Sequence, residues 1–449
     1  MLLGVLRLRR AVLLCCVLPL TAVGLISCGG YSSPSTSSSG GTGSSGLKFR
    51  AVVSQEVTSG TLLGAGLIII NATDDIRAPV PPMSLSSLST FNPGMMVVSD
   101  NRQITLAVSN PTTTIGIFSN SQEKNIGGVI LPGQTYGVVM SADSTTAYAA
   151  VPTAPITGGS PGGIVVFSTS GAVTATVPVP GVRYISRSGD SSRLLAFSDN
   201  SDSITIVPTA SIIAGQGQNT PLITVGGFDR PISGFFSPDG TMAWIINCGP
   251  ECGGTQASIE ELNLQTSPPT VGRTVPVAAA TVGYVNGQTM YVAGTPGPGN
   301  NTCTGVTTAA TTCGRLSIVD LPSMTVTGPS SPQNVIADGY HTQLSLGPNG
   351  QLFVGSTNCT NIAPPPGSTT GEVRGCLDIY DTVHNLTVNP PENGDVTGLQ
   401  PITNRNIMYV VEGGELNIYD TTTDKLFIEP NNVTLDIFGD AVDVKLIDF

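Results

Sequence analysis

A hairpin pattern recurs along most of the chain and limits the possible folds more than any other feature. Each copy has a turn, a short strand of alternating apolar residues, a loop and a second alternating strand. Alternation with a period of two is typical of β-strands that have one buried face. The clear copies lie at 141–169, 237–266, 285–321, 347–382 and 402–426, and the weaker copies lie at 49–75, 104–120 and 194–207.

Each repeat contains two more strands besides this hairpin. A strand rich in threonine and valine follows, such as AVTATVPV (172–179), and another precedes the next turn, such as SGFFS (233–237). The turns SPDG and GPNG suit this role because proline presets φ and glycine accepts a positive φ. Four-stranded repeats predict a β-propeller, in which each blade buries its faces only against its neighbours. One apolar or aromatic position recurs every 46 to 62 residues, at Tyr148, Leu194, Trp244, Tyr291, Phe353 and Tyr409.

The eight hairpins predict a single all-β domain over residues 48–449, a β-propeller with eight four-stranded blades. Seven blades is the alternative if one weak copy is irregular. The first hairpin lacks an inner strand, and the last segment, DAVDVKLIDF (440–449), is a strand with no hairpin after it. We expect this C-terminal strand to pair with the N-terminal blade and close the ring, since closure removes exposed sheet edges.

The repeats resemble the YVTN-type β-propeller repeats of secreted bacterial and archaeal proteins. The resemblance covers roughly residues 48–449 and implies the propeller fold, but it says little about activity. It is carried by SPDGTMAWIIN (237–247), GQTMYVAGT (287–295) with LSIVDL (316–321), and NIMYVVE (406–412) with LNIYDTTT (416–423).

The N-terminus carries the pattern of a secretory signal, which we assign to residues 1–27. An apolar run of 17 residues, Ala11–Ser27, follows the positive charges and is at the short limit for a membrane-spanning helix. The alternative is an uncleaved N-terminal anchor. The charged region before the run contains Arg7, Arg9 and Arg10.

The signal ends in LISC (25–28), which resembles the lipobox of bacterial lipoproteins. The resemblance implies cleavage before Cys28 and a lipid on its thiol. The Ser/Gly-rich segment 28–47 then serves as a flexible tether. We therefore expect a lipid-anchored, extracytoplasmic protein of the cell envelope, at the outer membrane or periplasmic face if the host is Gram-negative.

The charge balance excludes one class of partner. Only 11% of residues are charged, against about 25% in average domains. Loss of the three signal arginines leaves 15 basic and 30 acidic residues, a net charge of −15. No basic run remains to neutralise phosphates, so we expect no nucleic-acid partner. The partners we expect are the membrane, through Cys28, and an envelope protein, a glycan or a small ligand.

Six cysteines lie beyond Cys28, and an even number in an exported chain predicts three disulfides. A zinc site is the alternative, but the cysteines lack CxxC spacing and nearby histidines. All six lie in long loops between the second and third strands of three successive blades. These disulfides either stiffen the insertions or shape a binding surface, and the two roles are compatible. The local grouping favours the pairs Cys248–Cys252, Cys303–Cys313 and Cys359–Cys376.

The blade-to-blade connections lie on the same face as these loops, and their side chains predict a ligand site at the channel mouth. In the alternative, structural interpretation, Asp229 pairs with Arg230 or Arg183 and the tyrosines cap the core. The predicted ligand-binding residues are Tyr136, Arg183, Tyr184, Asp229, Arg230, Tyr340, His341 and Asp395.

The sequence contains few residues and motifs that are typical of catalytic sites. The chain has two histidines, His341 and His384, and neither a G-x-S-x-G nor an HExxH motif. We predict no catalytic residue, cofactor or metal, and favour a binding or interaction scaffold that acts through the disulfide-bearing face. One alternative is a lactonase-like hydrolase that uses His341 with Asp229 or Asp338; another is a purely structural envelope protein.

Overall fold

The protein is an eight-bladed β-propeller, as the repeats predict. Each blade is an antiparallel sheet whose strands follow one another from the channel to the rim. The computed structural model describes residues 44–56, 65–85, 91–303, 312–360, 376–388, 390, 394–427, 435, 437 and 439–448.

The strands of the first four blades follow the predicted hairpins closely. Blade 1 contains β1 (Arg50–Glu56), β2 (Gly66–Asn71) and β3 (Ile76–Arg77), and blade 2 contains β4 (Met96–Val98), β5 (Ile104–Ser109), β6 (Thr114–Ser119) and β7 (Lys124–Ile130). Blade 3 contains β8 (Gly137–Met140), β9 (Thr146–Val151), β10 (Gly163–Ser168) and β11 (Val173–Pro178), and blade 4 contains β12 (Val182–Arg187), β13 (Arg193–Ser198), β14 (Ser203–Pro208) and β15 (Ile223–Gly226).

The other four blades have the same order. Blade 5 contains β16 (Pro231–Phe236), β17 (Met242–Asn247), β18 (Ser258–Asn263) and β19 (Thr270–Pro276), and blade 6 contains β20 (Val282–Asn286), β21 (Thr289–Gly294), β22 (Gly314–Asp320), β23 (Thr325–Gly328) and the short β24 (Val335–Ile336). Blade 7 contains β25 (Tyr340–Leu346), β26 (Gln351–Thr357), β27 (Leu377–Asp381) and β28 (Leu386–Val388), and blade 8 contains β29 (Val396–Pro401), β30 (Ile407–Glu412), β31 (Glu415–Asp420) and β32 (Lys425–Leu426).

The C-terminal strand β33 (Asp440–Leu446) closes the ring. It pairs antiparallel with β1, with Ala51 opposite Leu446 and Val53 opposite Val444, and so becomes the innermost strand of blade 1. The predicted closure is confirmed. Its physical basis is that the innermost strand of every blade then packs between those of its two neighbours around the channel.

The core lies between the blades, where the apolar faces of successive sheets pack against each other. The recurring apolar position falls on the second strand of its blade, where five of its six members are buried and Trp244 is partly buried. In blades 7 and 8, for example, Phe353 meets the ring of Tyr419 edge-on, with 6.1 Å between ring centroids. Such interlocking of large side chains between sheets holds neighbouring blades in register.

The up-and-down strand order separates two faces. One face, here called the disulfide face, carries the loops between second and third strands and the blade-to-blade connections. It holds the three predicted pairs, Cys248–Cys252, Cys303–Cys313 and Cys359–Cys376, all of which are disulfides in the structure. Four short 3₁₀ helices complete the described secondary structure: Asn110–Thr112, Thr209–Ser211, Gly217–Asn219 and Gly249–Cys252.

The opposite face carries the described ends of the chain. Ser45 and Asp448 both lie near Arg50, where β1 begins and β33 ends. The predicted signal peptide and almost all of the predicted tether fall outside the described residues. None of the helices in the described part is long and apolar enough to cross a membrane.

Candidate functional site

A cavity of about 160 Å³ lies on the disulfide face, where the inner strand of blade 4 begins. Residues from blades 4, 5 and 7 line it, so the cavity exists only once the ring has closed. Four of the eight predicted ligand-binding residues line the cavity: Arg183, Tyr184, Arg230 and Tyr340.

Arg183 is held by two tyrosines and one carboxylate. Its guanidinium carbon lies 4.1 Å from the ring centroid of Tyr136 and 5.7 Å from that of Tyr184. Its Nε–H donates to the Tyr184 hydroxyl at 3.2 Å, and Nη1 donates to Asp199 at 3.2 Å. Stacking on aromatic faces orients a guanidinium while leaving its edge free for hydrogen bonds. Tyr136 therefore joins the site as a support for Arg183.

Arg230 forms a second cationic wall of the cavity. It lies in the connection between blades 4 and 5 with φ +57°, a conformation uncommon for residues other than glycine. Its backbone N–H donates to Asp202 at 3.3 Å, and its Nη1 lies 3.5 Å from the same carboxylate. Among the described residues, no group accepts a hydrogen bond from its Nε–H.

The turn between β13 and β14 supplies the counter-charges for both arginines, through Asp199 and Asp202. Sequence reasoning missed these two acids. The only signal is the segment DNSD (199–202) between two alternating strands, which reads as an ordinary turn.

Tyr340 reaches this cavity from blade 7, three blades away from Tyr184. Burial raises the pKa of its phenol, and the neighbouring Tyr184 and Glu251 raise it further. The Tyr340 side chain nevertheless remains partly accessible, since the residue is 41% exposed. The two phenols therefore place hydroxyl groups from opposite parts of the ring at the channel mouth.

Glu251 is an ionisable residue near the mouth that sequence reasoning also missed. It lies in the 3₁₀ helix inside the Cys248–Cys252 loop, and its Oε2 accepts a hydrogen bond from the Thr295 backbone N–H at 2.9 Å. Burial raises its pKa from 4.5 to about 7. A carboxyl that titrates near neutral pH at a channel mouth is a candidate for proton transfer.

Asp229 has a structural role in the fold. Its carboxylate accepts hydrogen bonds from the backbone N–H groups of Thr255, at 2.9 Å, and Gln256, at 2.7 Å. Burial alone would raise the pKa of Asp229, but a hydrogen bond from the Thr255 hydroxyl and these two backbone hydrogen bonds outweigh burial, so the pKa lies below its usual value. Gly254 permits this approach, because a Cβ there would collide with the Asp229 carboxylate. The ion-paired partners of Arg183 and Arg230 are Asp199 and Asp202, not Asp229 as the structural alternative supposed.

Two other connection aspartates also hold disulfide loops. Asp395 accepts a hydrogen bond from the Asn358 backbone N–H at 2.7 Å. Asp338 accepts from the Thr360 backbone N–H at 2.6 Å and from the Thr312 hydroxyl. Asp338 thus joins the loops of blades 6 and 7. Asp395 belongs to the predicted ligand-binding set, but it does not line the cavity.

His341 lies below the surface of the disulfide face. It is 1% exposed, and its ring fits against Gly314, where a Cβ would lie 2.7 Å from its Cε1 atom. Burial lowers its pKa to about 4, so the imidazole is neutral at physiological pH. His341 does not line the cavity, and neither do Asp229 and Asp338, whose carboxylates hold loops. The other histidine, His384, lies on the turn after β27, beside Asp381.

A larger cavity of about 490 Å³ lies at the rim, between β11 and residues 215–219. Its lining has no ionisable side chain, so the channel-mouth cavity is the better candidate for specific recognition. Within the described ranges, no group of three or more His, Cys, Asp or Glu side chains is arranged to hold a metal ion.

Comparison with protein-family models and with curated proteins finds no match. Many solved structures share the fold. The dihydro-heme d1 dehydrogenase NirN in complex with DHE is 10% identical, with 89% of this chain and 75% of that chain covered at a TM-score of 0.57. A eukaryotic initiation factor is 11% identical, with 89% and 98% covered at 0.51.

The periplasmic gluconolactonase PpgL of Pseudomonas aeruginosa is 13% identical, with 89% of this chain and 98% of that chain covered at a TM-score of 0.48. At these identities the similarities concern the propeller fold alone. The chemistry of this chain must therefore be argued from its own side chains.

Proposed function

We propose that this protein is a lipid-anchored, extracytoplasmic β-propeller that binds a ligand or an envelope partner through its disulfide face. The observation that carries the proposal is the channel-mouth cavity, in which Arg183, Arg230, Tyr184 and Tyr340 converge from three blades. Arginine and tyrosine are, with tryptophan, the residues enriched where proteins make energetically important contacts. The cavity forms part of the face that the three disulfides reinforce.

The bonds that fix the described ends of the disulfide loops support a binding role. These ends are joined by the three disulfides and are also held by a connection aspartate, namely Asp229, Asp338 or Asp395. Residues that are fixed before binding lose little conformational entropy when a partner arrives.

The point where the N-terminal segment leaves the propeller supports an accessible disulfide face. Ser45 is fixed to Glu123 on the face opposite the disulfides, with its backbone N–H 2.6 Å from the carboxylate. A tether that joins this point to a lipid on Cys28 attaches the protein through the face opposite the disulfides. The attachment then leaves the disulfide face and its cavity unobstructed, so that a partner can reach them.

The proposal is tested by cross-linking mass spectrometry on membranes that carry the full-length protein. The test variant is Arg183→Met with Tyr340→Phe, and the matched control is Arg193→Met, which changes an arginine at the start of β13 outside the cavity. We expect partner cross-links near residues 248–257 or 295–303 that are lost in the test variant and kept in the control. Cross-links confined to the opposite face would contradict the proposal, as would cross-links unchanged in the test variant.

The anchor is tested separately on the same membranes. Intact mass analysis should find a chain that begins at Cys28 and carries a diacylglycerol there, and the lipid should be absent from Cys28→Ala. A chain that keeps residues 1–27 and carries no lipid would instead support the uncleaved anchor.

A second candidate function is hydrolysis, and Glu251 is the observation that favours it. Its pKa of about 7 suits a general acid or base, and it lies close enough to raise the pKa of Tyr340. A panel of lactones and esters tests this candidate. Activity that follows a pKa near 7 and vanishes in Glu251→Gln, but not in the exposed control Glu415→Gln, would establish an enzyme.

A further inference from the structure

We infer that the channel-mouth cavity binds a carboxylate group of a small organic acid, between Arg183 and Arg230. This inference rests on the proposed binding function of the same site and names the class of ligand. The cavity volume of about 160 Å³ suits one small molecule or the end of a longer one. A polymer could enter only through a terminal group.

Arg183 has hydrogen-bond donors to spare. A guanidinium has five N–H donors, and the contacts to Tyr184 and Asp199 use its Nε–H and one of those on Nη1. The stacked rings of Tyr136 and Tyr184 hold its plane in position. A planar, oriented guanidinium with free edge donors matches the geometry of a carboxylate.

Arg230 contributes a donor that the described part of the protein leaves unused. Its Nε–H is buried and has no acceptor there, while its Nη1 lies at the long distance of 3.5 Å from Asp202. A buried donor without an acceptor is unfavourable, so a small movement of the Arg230 side chain that lets a ligand oxygen accept this hydrogen bond stabilises the site. This unused donor points to a ligand with acceptor atoms.

The two aspartates do not block such a ligand. The side chains of Arg183 and Asp199 are 35% and 43% exposed, and Asp202 is 63% exposed. Ion pairs this exposed contribute little to stability. A ligand carboxylate can therefore share or replace these contacts at small cost, while the aspartates keep the empty site close to neutral.

The same charges argue against a polyanion or a phosphate. The chain has a net charge of −12, and Asp199 and Asp202 lie at the mouth. A multiply charged ligand would meet repulsion that a single carboxylate largely avoids. The phenols of Tyr184 and Tyr340 can donate to hydroxyl groups beside the carboxylate.

The test is isothermal titration calorimetry of the full-length protein in detergent micelles. The probes form two matched pairs that differ in a single carboxylate: D-galacturonate with D-galactose, and glycolate with ethylene glycol. Inorganic phosphate is the competing anion. The variants are Arg183→Met, Arg230→Met and Arg230→Lys, and Arg193→Met is the control outside the cavity. Circular dichroism verifies that each variant is folded.

We expect at least one acid to bind at least tenfold more tightly than its neutral partner and more tightly than phosphate. Each of the two methionine variants should weaken binding at least tenfold. Arg230→Lys should also weaken it, because lysine keeps the charge but loses the Nε–H of the fork, and Arg193→Met should leave it within twofold.

Equal binding of acid and neutral partner, or tighter binding of phosphate, would overturn the carboxylate assignment and leave the proposed binding function standing. Failure of both acids to bind would overturn the inference as well. Tight binding that survives both methionine variants would place the acid elsewhere. The cross-linking experiment tests the proposed function independently of all these outcomes.

Discussion

Arg50 and Asp448 are 398 residues apart in the sequence and form a two-pronged ion pair, in which Nε donates at 2.6 Å and Nη2 at 2.8 Å to the two carboxylate oxygens. Through Nη1 the same guanidinium binds Glu123 at 2.6 Å and the backbone carbonyl of Asn120. This clasp of Arg50, Asp448 and Glu123 joins β1, the C-terminal segment and the turn before β7. It adds side-chain ion pairs to the backbone pairing through which β33 closes the ring.

Arg50→Met should destabilise the fold by about 3–5 kcal/mol, because it leaves the fully buried carboxylate of Glu123 without its cation. Urea denaturation at pH 7 measures the change. Arg193→Met is the matched control and should change stability by no more than about 0.5 kcal/mol. A loss below about 1 kcal/mol in Arg50→Met would show that the clasp is not needed for closure.

Glu251→Gln should change the pH dependence of stability. Because the folded protein holds the Glu251 proton up to a pH of about 7, whereas the unfolded chain releases it near 4.5, wild-type stability falls as pH rises through this window. The variant keeps an acceptor for the Thr295 N–H and has no carboxyl group that titrates. Its free energy of unfolding relative to wild type should therefore rise by about 1–3 kcal/mol as the pH increases from 4 to 8. Thermal unfolding across this range measures the difference, and parallel curves would contradict the assignment.

His341→Leu should remove a loss of stability in acid. The buried imidazole of the folded protein takes up a proton only near pH 4, whereas the unfolded chain takes it up near 6.5, so wild-type stability falls as pH decreases between these values. The contribution is at most about 3 kcal/mol. The exposed His384, whose pKa Asp381 raises, gives the control His384→Gln, which should leave this acid loss in place. An unchanged slope in His341→Leu would mean that the imidazole is accessible.

Asp338→Asn should loosen the loops of blades 6 and 7 together. The carboxylate accepts from Thr360 and from the Thr312 hydroxyl, and an amide offers one acceptor oxygen in place of two. We expect about 1–3 kcal/mol of local destabilisation. Hydrogen exchange should become faster at residues 312–313 and 358–360 and should be unchanged at 255–256, which Asp229 holds. Exchange that changes in only one loop would contradict the shared role.

Most of the fold could be predicted because its signals are local. The alternation in segments such as GGIVVFST and the turn SPDG specify strands and hairpins one blade at a time, and the unpaired last strand indicated closure. The disulfide pairs were accessible for the same reason, since the partners in each pair are at most 17 residues apart. Even the face that carries them follows from counting strands within a blade.

The candidate site could be predicted only in part. Arg183, Tyr184, Arg230 and Tyr340 occupy connections that any propeller brings to one face, so their region was accessible. The roles of Asp229 and Asp395 were not, because nothing in the sequence shows which backbone N–H groups will meet a carboxylate. Glu251 was missed because its raised pKa comes from burial by neighbouring blades.

The sequence by itself determined the strands, the hairpins and the side chains available on each face, and it favoured eight blades over seven, because period-two alternation and turn chemistry act over a few residues. The tertiary structure decided which of those side chains meet. Ring closure brings Tyr340 of blade 7 to Tyr184 of blade 4 and buries His341 against Gly314. These contacts depend on how eight sheets pack around one axis, and the sequence near either partner carries no local trace of packing between separate blades.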